Sequence, residues 1–291
     1  MADAKFFNTK YMIHNTKYKL TIGWLYPELM STYGDRGNII CLQKRCESRE
    51  IDVEIKHLDV GFDDKQLVIC DMLFMGGAQD RQQKIVAKDL REKASVLQKM
   101  IEDNIPGLYI CGAYQFLGKY YKEADGTMLE GLGIMDLYTE HPGENAERLI
   151  GNVVISTNVI LNSFQDLNHK GIPKQVRNDT ERTLVGFENH GGRTYLGENA
   201  KPLGTVIKGF GNNGIDKTEG AVYKNSFGSY FHGPILPKNP HFANVLIKLA
   251  LEKKYGKEVV LRELDDSLEW QAHKAVLKRL SIRYNNNAYE D

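Results

Sequence analysis

The chain has 291 residues, 42% of them apolar, enough to fill the core of one large α/β domain. Thirty-eight Lys and Arg balance thirty-eight Asp and Glu, so no net field draws the protein to nucleic acid or an anionic membrane, and a protein or small-molecule partner is expected. No run of about eighteen apolar residues is present to span a bilayer, and the four cysteines, Cys41, Cys46, Cys70 and Cys111, form no CxxC pair, which speaks against a disulfide framework or a zinc site.

Residues 1–18 form a polar leader without the apolar segment of a signal peptide, so a cytoplasmic location without membrane insertion is expected. The first strand is expected over Leu20 to Tyr26. After the turn Tyr33-Gly-Asp-Arg-Gly-Asn38, a helical stretch carries Ile39, Leu42 and Cys46 on one face, and Ile51-Asp-Val-Glu-Ile55 alternates as a strand does. Asp71 to Met75 reads as a buried strand that stops at Gly76-Gly77. The charged stretch Asp80 to Asp103 has Ile85, Leu90, Val96, Leu97 and Met100 at helical spacing, consistent with one or two surface helices. Pro106 introduces the short apolar strand Gly107 to Ile110, which runs into Cys111-Gly-Ala-Tyr-Gln-Phe-Leu-Gly118.

From Leu149 onward the chain turns to short alternating segments: Leu149 to Ser156, Thr183 to Glu188, Leu203 to Lys208, Gly220 to Tyr223 and Ser229 to His232. An amphipathic helix follows over Pro240 to Tyr255, and another is expected from Leu264 through Leu280 before the polar end of the chain. Strands alternating with helices first, and short strands afterwards, imply a three-layer α/β domain with a mostly parallel sheet and antiparallel edge strands. The expected division is a leader over 1–18, one domain over 19–262, and a C-terminal helix and tail over 263–291.

A nucleophile between a buried strand and a helix is held on a sharp turn, with the first helical N–H groups directed at it. Cys111 has this placement, and the positive helix end favours its thiolate. The small residues Gly112 and Ala113 let the backbone turn tightly. Cys41, Cys46 and Cys70 fall within periodic core patterns and are read as structural. A reactive thiol needs a base. Of the eight histidines, His57, His190 and His232 end predicted strands or lie in glycine-containing turns, and His232 is preferred because Gly233-Pro234 fixes the backbone as it leaves the strand. The carbonyl oxygen becomes negative on attack, and the N–H groups of Gly77 and Gly112 are candidate oxyanion donors.

Together, Cys111 to Gly118, Gly186-Phe-Glu-Asn-His-Gly-Gly-Arg-Thr-Tyr195 and Tyr230-Phe-His-Gly-Pro-Ile-Leu-Pro-Lys-Asn239 resemble class I glutamine amidotransferases of the cobyric acid synthase (CobB/CobQ) type. Within that type they are most similar to the glutaminase subunits of lipid II isoglutaminyl synthase. Tyr33 to Asn38, Gly76-Gly77 with Asp80-Arg81, and Gly131-Leu-Gly-Ile134 extend the resemblance over about Leu20 to Leu261. It implies a flavodoxin-like glutaminase domain paired with a Mur-ligase-like ATP-dependent subunit that amidates D-glutamate of the lipid II stem peptide to D-isoglutamine. Carried over by position, it makes Cys111 the nucleophile, His232 the general base and Arg148 the cation for the α-carboxylate of glutamine, with Gln115, Asn189 and His190 lining the substrate site. No cofactor or metal is implied.

Two departures from the family pattern stand out. Pro234 occupies the place, two residues after the histidine, where many class I enzymes carry the acid that orients the imidazole; the orienting carboxylate is therefore expected from the partner subunit. Asn158 to Glu181 is longer than the usual connection and is read as a surface insertion. The chain lacks a G-x-x-x-x-G-K-[ST] phosphate loop, so the ATP-dependent half of an amidation belongs elsewhere. Rival readings of the same elbow are a stand-alone cysteine hydrolase such as a γ-glutamyl hydrolase, a glutaminase serving another amide ligase, and a non-catalytic scaffold that binds a ligase.

Overall fold

The computed structural model describes residues 18–157 and 182–282; the expected insertion over 158–181, most of the leader and the residues from 283 onward lie outside the described residues. The first half alternates β1 (Lys19–Leu25), α1 (Arg36–Glu47), β2 (Asp52–Leu58), α2 (Asp64–Val68), β3 (Met72–Met75), α3 (Asp80–Glu92), α4 (Ala94–Glu102), β4 (Gly107–Ile110) and the short α5 (Gly112–Phe116). Shorter strands follow: β5 (Tyr120–Lys122), β6 (Met128–Glu130), β7 (Leu137–Glu140), β8 (Leu149–Ser156), β9 (Thr183–His190), β10 (Arg193–Leu196) and β11 (Gly204–Lys208). The chain then forms β12 (Thr218–Glu219), β13 (Ala221–Tyr223), β14 (Ser226–Ser229), β15 (Phe231–His232), α6 (Pro240–Tyr255) and α7 (Ser267–Arg279).

The central sheet has the order β13-β14-β4-β3-β1-β2. Its pairs are parallel except the edge hairpin of β13 with β14. Every residue of β3 and β4 is buried, as a parallel strand covered on both faces requires. Two further sheets, β10-β7-β5-β6 and β12-β11-β8-β9-β15, are largely antiparallel. The expected α/β class and its antiparallel edge are what the chain forms. The charged stretch resolves into two helices that part at Lys93.

Among the boundaries that differ from expectation, two have a visible cause. The last helix begins at Ser267 rather than near Leu264, where the Asp265 side chain accepts from the Ser267 N–H at 3.0 Å and the Asp266 carboxylate is taken by Arg45 at 2.6 Å. The segment Ser229 to His232 is not one strand. It breaks at Tyr230: β14 lies in the parallel sheet beside β4, and β15 crosses to pair antiparallel with β9, His232 opposite Phe187. The Tyr230 N–H leaves both ladders and is taken by the buried carboxylate side chain of Glu219 at 2.7 Å. In open α/β sheets the ligand crevice lies at the carboxyl ends of the strands. The segments that follow β1, β3, β4 and β14 carry Asp35, Gly77, Cys111 and Tyr230 to that edge.

Candidate active site

Cys111 leaves β4 with φ 53° and ψ −107°, a conformation that a residue with a Cβ adopts only under constraint. The constraint is visible on both sides: its N–H donates to the Ser229 carbonyl at 2.8 Å, and its own carbonyl accepts from Gln115 at 2.9 Å. The thiol is thereby held at the start of α5, 8% exposed. At five residues, α5 supplies only a fraction of the dipole of a full-length helix. Charge stabilisation at the sulfur therefore falls mainly to a side chain.

That side chain is His232. The imidazole and Asp35 are both fully buried, and Nδ1 lies 3.0 Å from Asp35 Oδ1. Nε2, on the other side of the ring, has no hydrogen bond of standard geometry among the described residues. Burial on its own would lower the proton affinity of the ring. The Asp35 carboxylate and the nearby Cys111 sulfur outweigh it and raise the pKa of His232 to about 10. Tyr33 closes the other face, edge-on at 5.0 Å between ring centroids. A histidine oriented by a carboxylate and set beside a cysteine sulfur is the arrangement of a thiol nucleophile with its acid–base partner.

Asp35 corrects the expectation that the orienting carboxylate comes from another subunit. It stands in the Tyr33 to Asn38 turn of this chain, 197 positions from His232. The sequence signals it only as an acidic residue in a glycine-containing turn. Asp35 also corrects the role expected for Gly77. Its Oδ2 accepts the Gly77 N–H at 2.7 Å, so that amide is committed and does not serve as an oxyanion donor. Gly77 is required for space instead: a Cβ there would come to 2.8 Å from His232 Cε1 and 3.0 Å from Cys111 Cβ. Gly112 begins α5 directly after Cys111.

The residues expected to hold glutamine divide into two groups. Arg148 is exposed, with its guanidinium fixed by Asn189: Nε donates to Oδ1 at 2.8 Å and a terminal nitrogen to the carbonyl at 2.9 Å. Asn189 is thus the residue that aims Arg148. Gln115 and His190 are buried behind this rim and meet at Tyr230. Gln115 Nε2 donates to the Tyr230 hydroxyl at 3.1 Å, Oε1 has no partner among the described residues, and the His190 ring stacks on the tyrosine at 3.7 Å. Burial lowers the pKa of His190, and its Nδ1 lies 2.8 Å from the Gly192 carbonyl. His190 is thus engaged by Tyr230 and the Gly192 carbonyl. Burial pushes the thiols of Cys41, Cys46 and Cys70 up to about 12, in keeping with their structural reading.

A buried thiol on a strained strand-to-helix turn, paired with a histidine and an aspartate, is the equipment of acyl transfer through a covalent intermediate. Residues 21–240 match the CobB/CobQ-like glutamine amidotransferase domain, and the chain belongs to that family. Among curated proteins, it is 41% identical to the GatD subunit of the glutamine-hydrolyzing lipid II isoglutaminyl synthase of Staphylococcus aureus, covering 90% of this chain and 96% of that one. The GatD subunit of Streptococcus pneumoniae is also 41% identical, over 87% of this chain and 89% of its own length. A probable cobyric acid synthase of Methanothermobacter thermautotrophicus is 34% identical, but the match spans 56% of this chain and only 29% of that longer protein.

Proposed function

We propose that the chain is the glutaminase subunit of a lipid II isoglutaminyl synthase, delivering ammonia to a Mur-ligase-like, MurT-type ATP-dependent partner that converts D-glutamate to D-isoglutamine. The observation that carries the chemistry is the buried line of Cys111, His232 and Asp35 at the carboxyl edge of the sheet. The choice of acceptor and partner rests on the similarity to the two GatD subunits along nearly their whole length.

In the proposed cycle, Arg148 holds the α-carboxylate of glutamine and Cys111 Sγ attacks the side-chain carboxamide carbon. The tetrahedral oxyanion collapses as His232 gives its proton to the departing nitrogen, the C–N bond breaks, and ammonia leaves a γ-glutamyl thioester. His232 then takes a proton from water, the hydroxide adds to the thioester carbon, and the C–S bond breaks to free glutamate. Asp35 holds the ring with Nε2 facing this chemistry throughout.

Because the orienting carboxylate belongs to this chain, the isolated protein is expected to hydrolyse glutamine slowly and to accelerate when the partner is bound. Glutamine hydrolysis and labelling by a glutamine-analogue inactivator, each measured with and without the co-purified partner, test the reading. Cys111→Ala is expected to abolish both. Undiminished hydrolysis in that variant would remove the thioester mechanism.

A further inference from the structure

Gln83 lies outside every motif that suggested the site. It stands in the first turns of α3, 3% exposed, and its Nε2 donates to the Ala78 carbonyl at 2.9 Å. The same amide group lies against Gly112, where an added Cβ would come to 2.9 Å from Nε2 and 3.0 Å from Cδ. One side chain therefore touches both backbone turns that border Cys111. Its Oε1 is buried and has no hydrogen-bond partner among the described residues. An unpaired buried amide oxygen is unfavourable and calls for an explanation.

The oxyanion of a tetrahedral intermediate needs two N–H donors at fixed separation. Gly112 offers one. On the opposite turn the Gly77 N–H is bound to Asp35, which leaves the next amide along, that of Ala78. We propose that Gln83 is a positioning residue of the oxyanion hole, bracing Ala78 from its carbonyl side against the backbone of Gly112 so that both N–H groups meet the developing negative oxygen. The assignment rests on the glutaminase reading and adds to it a residue that acts only as the carbonyl becomes tetrahedral. Glycine is needed at position 112 because the brace occupies the space of a side chain.

The test uses the full chain co-purified with its partner and the probe glutamate γ-semialdehyde. Cys111 Sγ adds to the aldehyde carbon, the carbonyl π bond opens and His232 gives its proton to the new oxygen, giving a thiohemiacetal that mimics the intermediate. Gln83→Met preserves length without a donor. It is expected to lower kcat about tenfold and to weaken aldehyde capture by the same factor, leaving the glutamine KM and glutamate affinity within about twofold of the unsubstituted chain. Gln83→Glu, which retains size but sets a carboxylate against the Ala78 carbonyl, is expected to show the same split and serves if the methionine variant does not fold. Unchanged kcat and aldehyde affinity in a folded variant would overturn the assignment, as would parallel losses of aldehyde and glutamate affinity. An unsubstituted chain that shows no Cys111-dependent hydrolysis would overturn the glutaminase reading and this inference with it.

Discussion

Asp35 uses its two carboxylate oxygens for two purposes, one on the His232 ring and one on the Gly77 amide. Asparagine has only one oxygen to offer where these two donors converge, so Asp35→Asn leaves either the imidazole or the Gly77 N–H facing an NH2 group. The expected result is a fall in kcat on the order of 100-fold with little change in glutamine KM, since neither group binds the ground-state substrate. The pH profile should move as well. Against the opposing effect of burial, Asp35 and the Cys111 sulfur together raise the pKa of His232 to about 10, so the native imidazole keeps its proton until pH rises through that value. Without the carboxylate the proton is lost at lower pH, and the alkaline fall in kcat/KM should begin earlier; stopped-flow or steady-state pH profiles of the two proteins would show it. The thiol and the imidazole were legible in the sequence because each lies next to glycines at the end of an apolar strand. Asp35 was not, because a contact across 197 positions leaves no local pattern.

At the scale of elements, local signals were reliable where chain chemistry acts locally. α6 runs from Pro240 to Tyr255, the bounds read from the sequence, and is closed by a left-handed Gly256. The start of α7 was less legible, since it depends on a long-range pairing. Arg45, 5% exposed, donates to both oxygens of Asp266 at 2.6 and 2.8 Å and to Asn244 Oδ1 at 3.2 and 2.9 Å. Removing the carboxylate leaves a buried guanidinium with its charge unbalanced. Asp266→Ala is therefore expected to destabilise the fold by about 3 kcal/mol, read as a shift of the urea midpoint, while kcat of the folded fraction stays as it was. The strand break at Tyr230 gave no periodic signature, because Ser229 and His232 are both buried residues of short strands and only their partners differ.

The molecule as a whole should be less tolerant of acid than its balanced charge suggests. His241 and His273 pack with Trp270 between α6 and α7, ring centroids 4.9 to 5.9 Å apart. Burial lowers their pKa values to about 3 and about 4, with the mutual proximity of the two rings adding to the effect at His241. Both are neutral in the fold and take up protons near 6.5 once unfolded. Stability they confer is complete above that pH and is lost as pH falls toward their folded values, at up to about 1.4 kcal/mol per pH unit for each. Urea titrations between pH 7 and pH 4 should show this slope, and His273→Asn should flatten it.

The crossing of one segment between two sheets at Tyr230 has a mechanical meaning. Cys111 is anchored in the parallel sheet, His232 in the antiparallel one, and a single tyrosine joins the strands that bear on them, tied in turn to Gln115 and to Thr194 of β10. The thiol-to-imidazole gap is therefore a gauge of how the sheets are aligned, and a slip of about 1 Å is enough to cost roughly 100-fold in rate. A protein that gripped one sheet and nudged it against the other would open or throttle the supply of ammonia from outside, with no need to reach into the site.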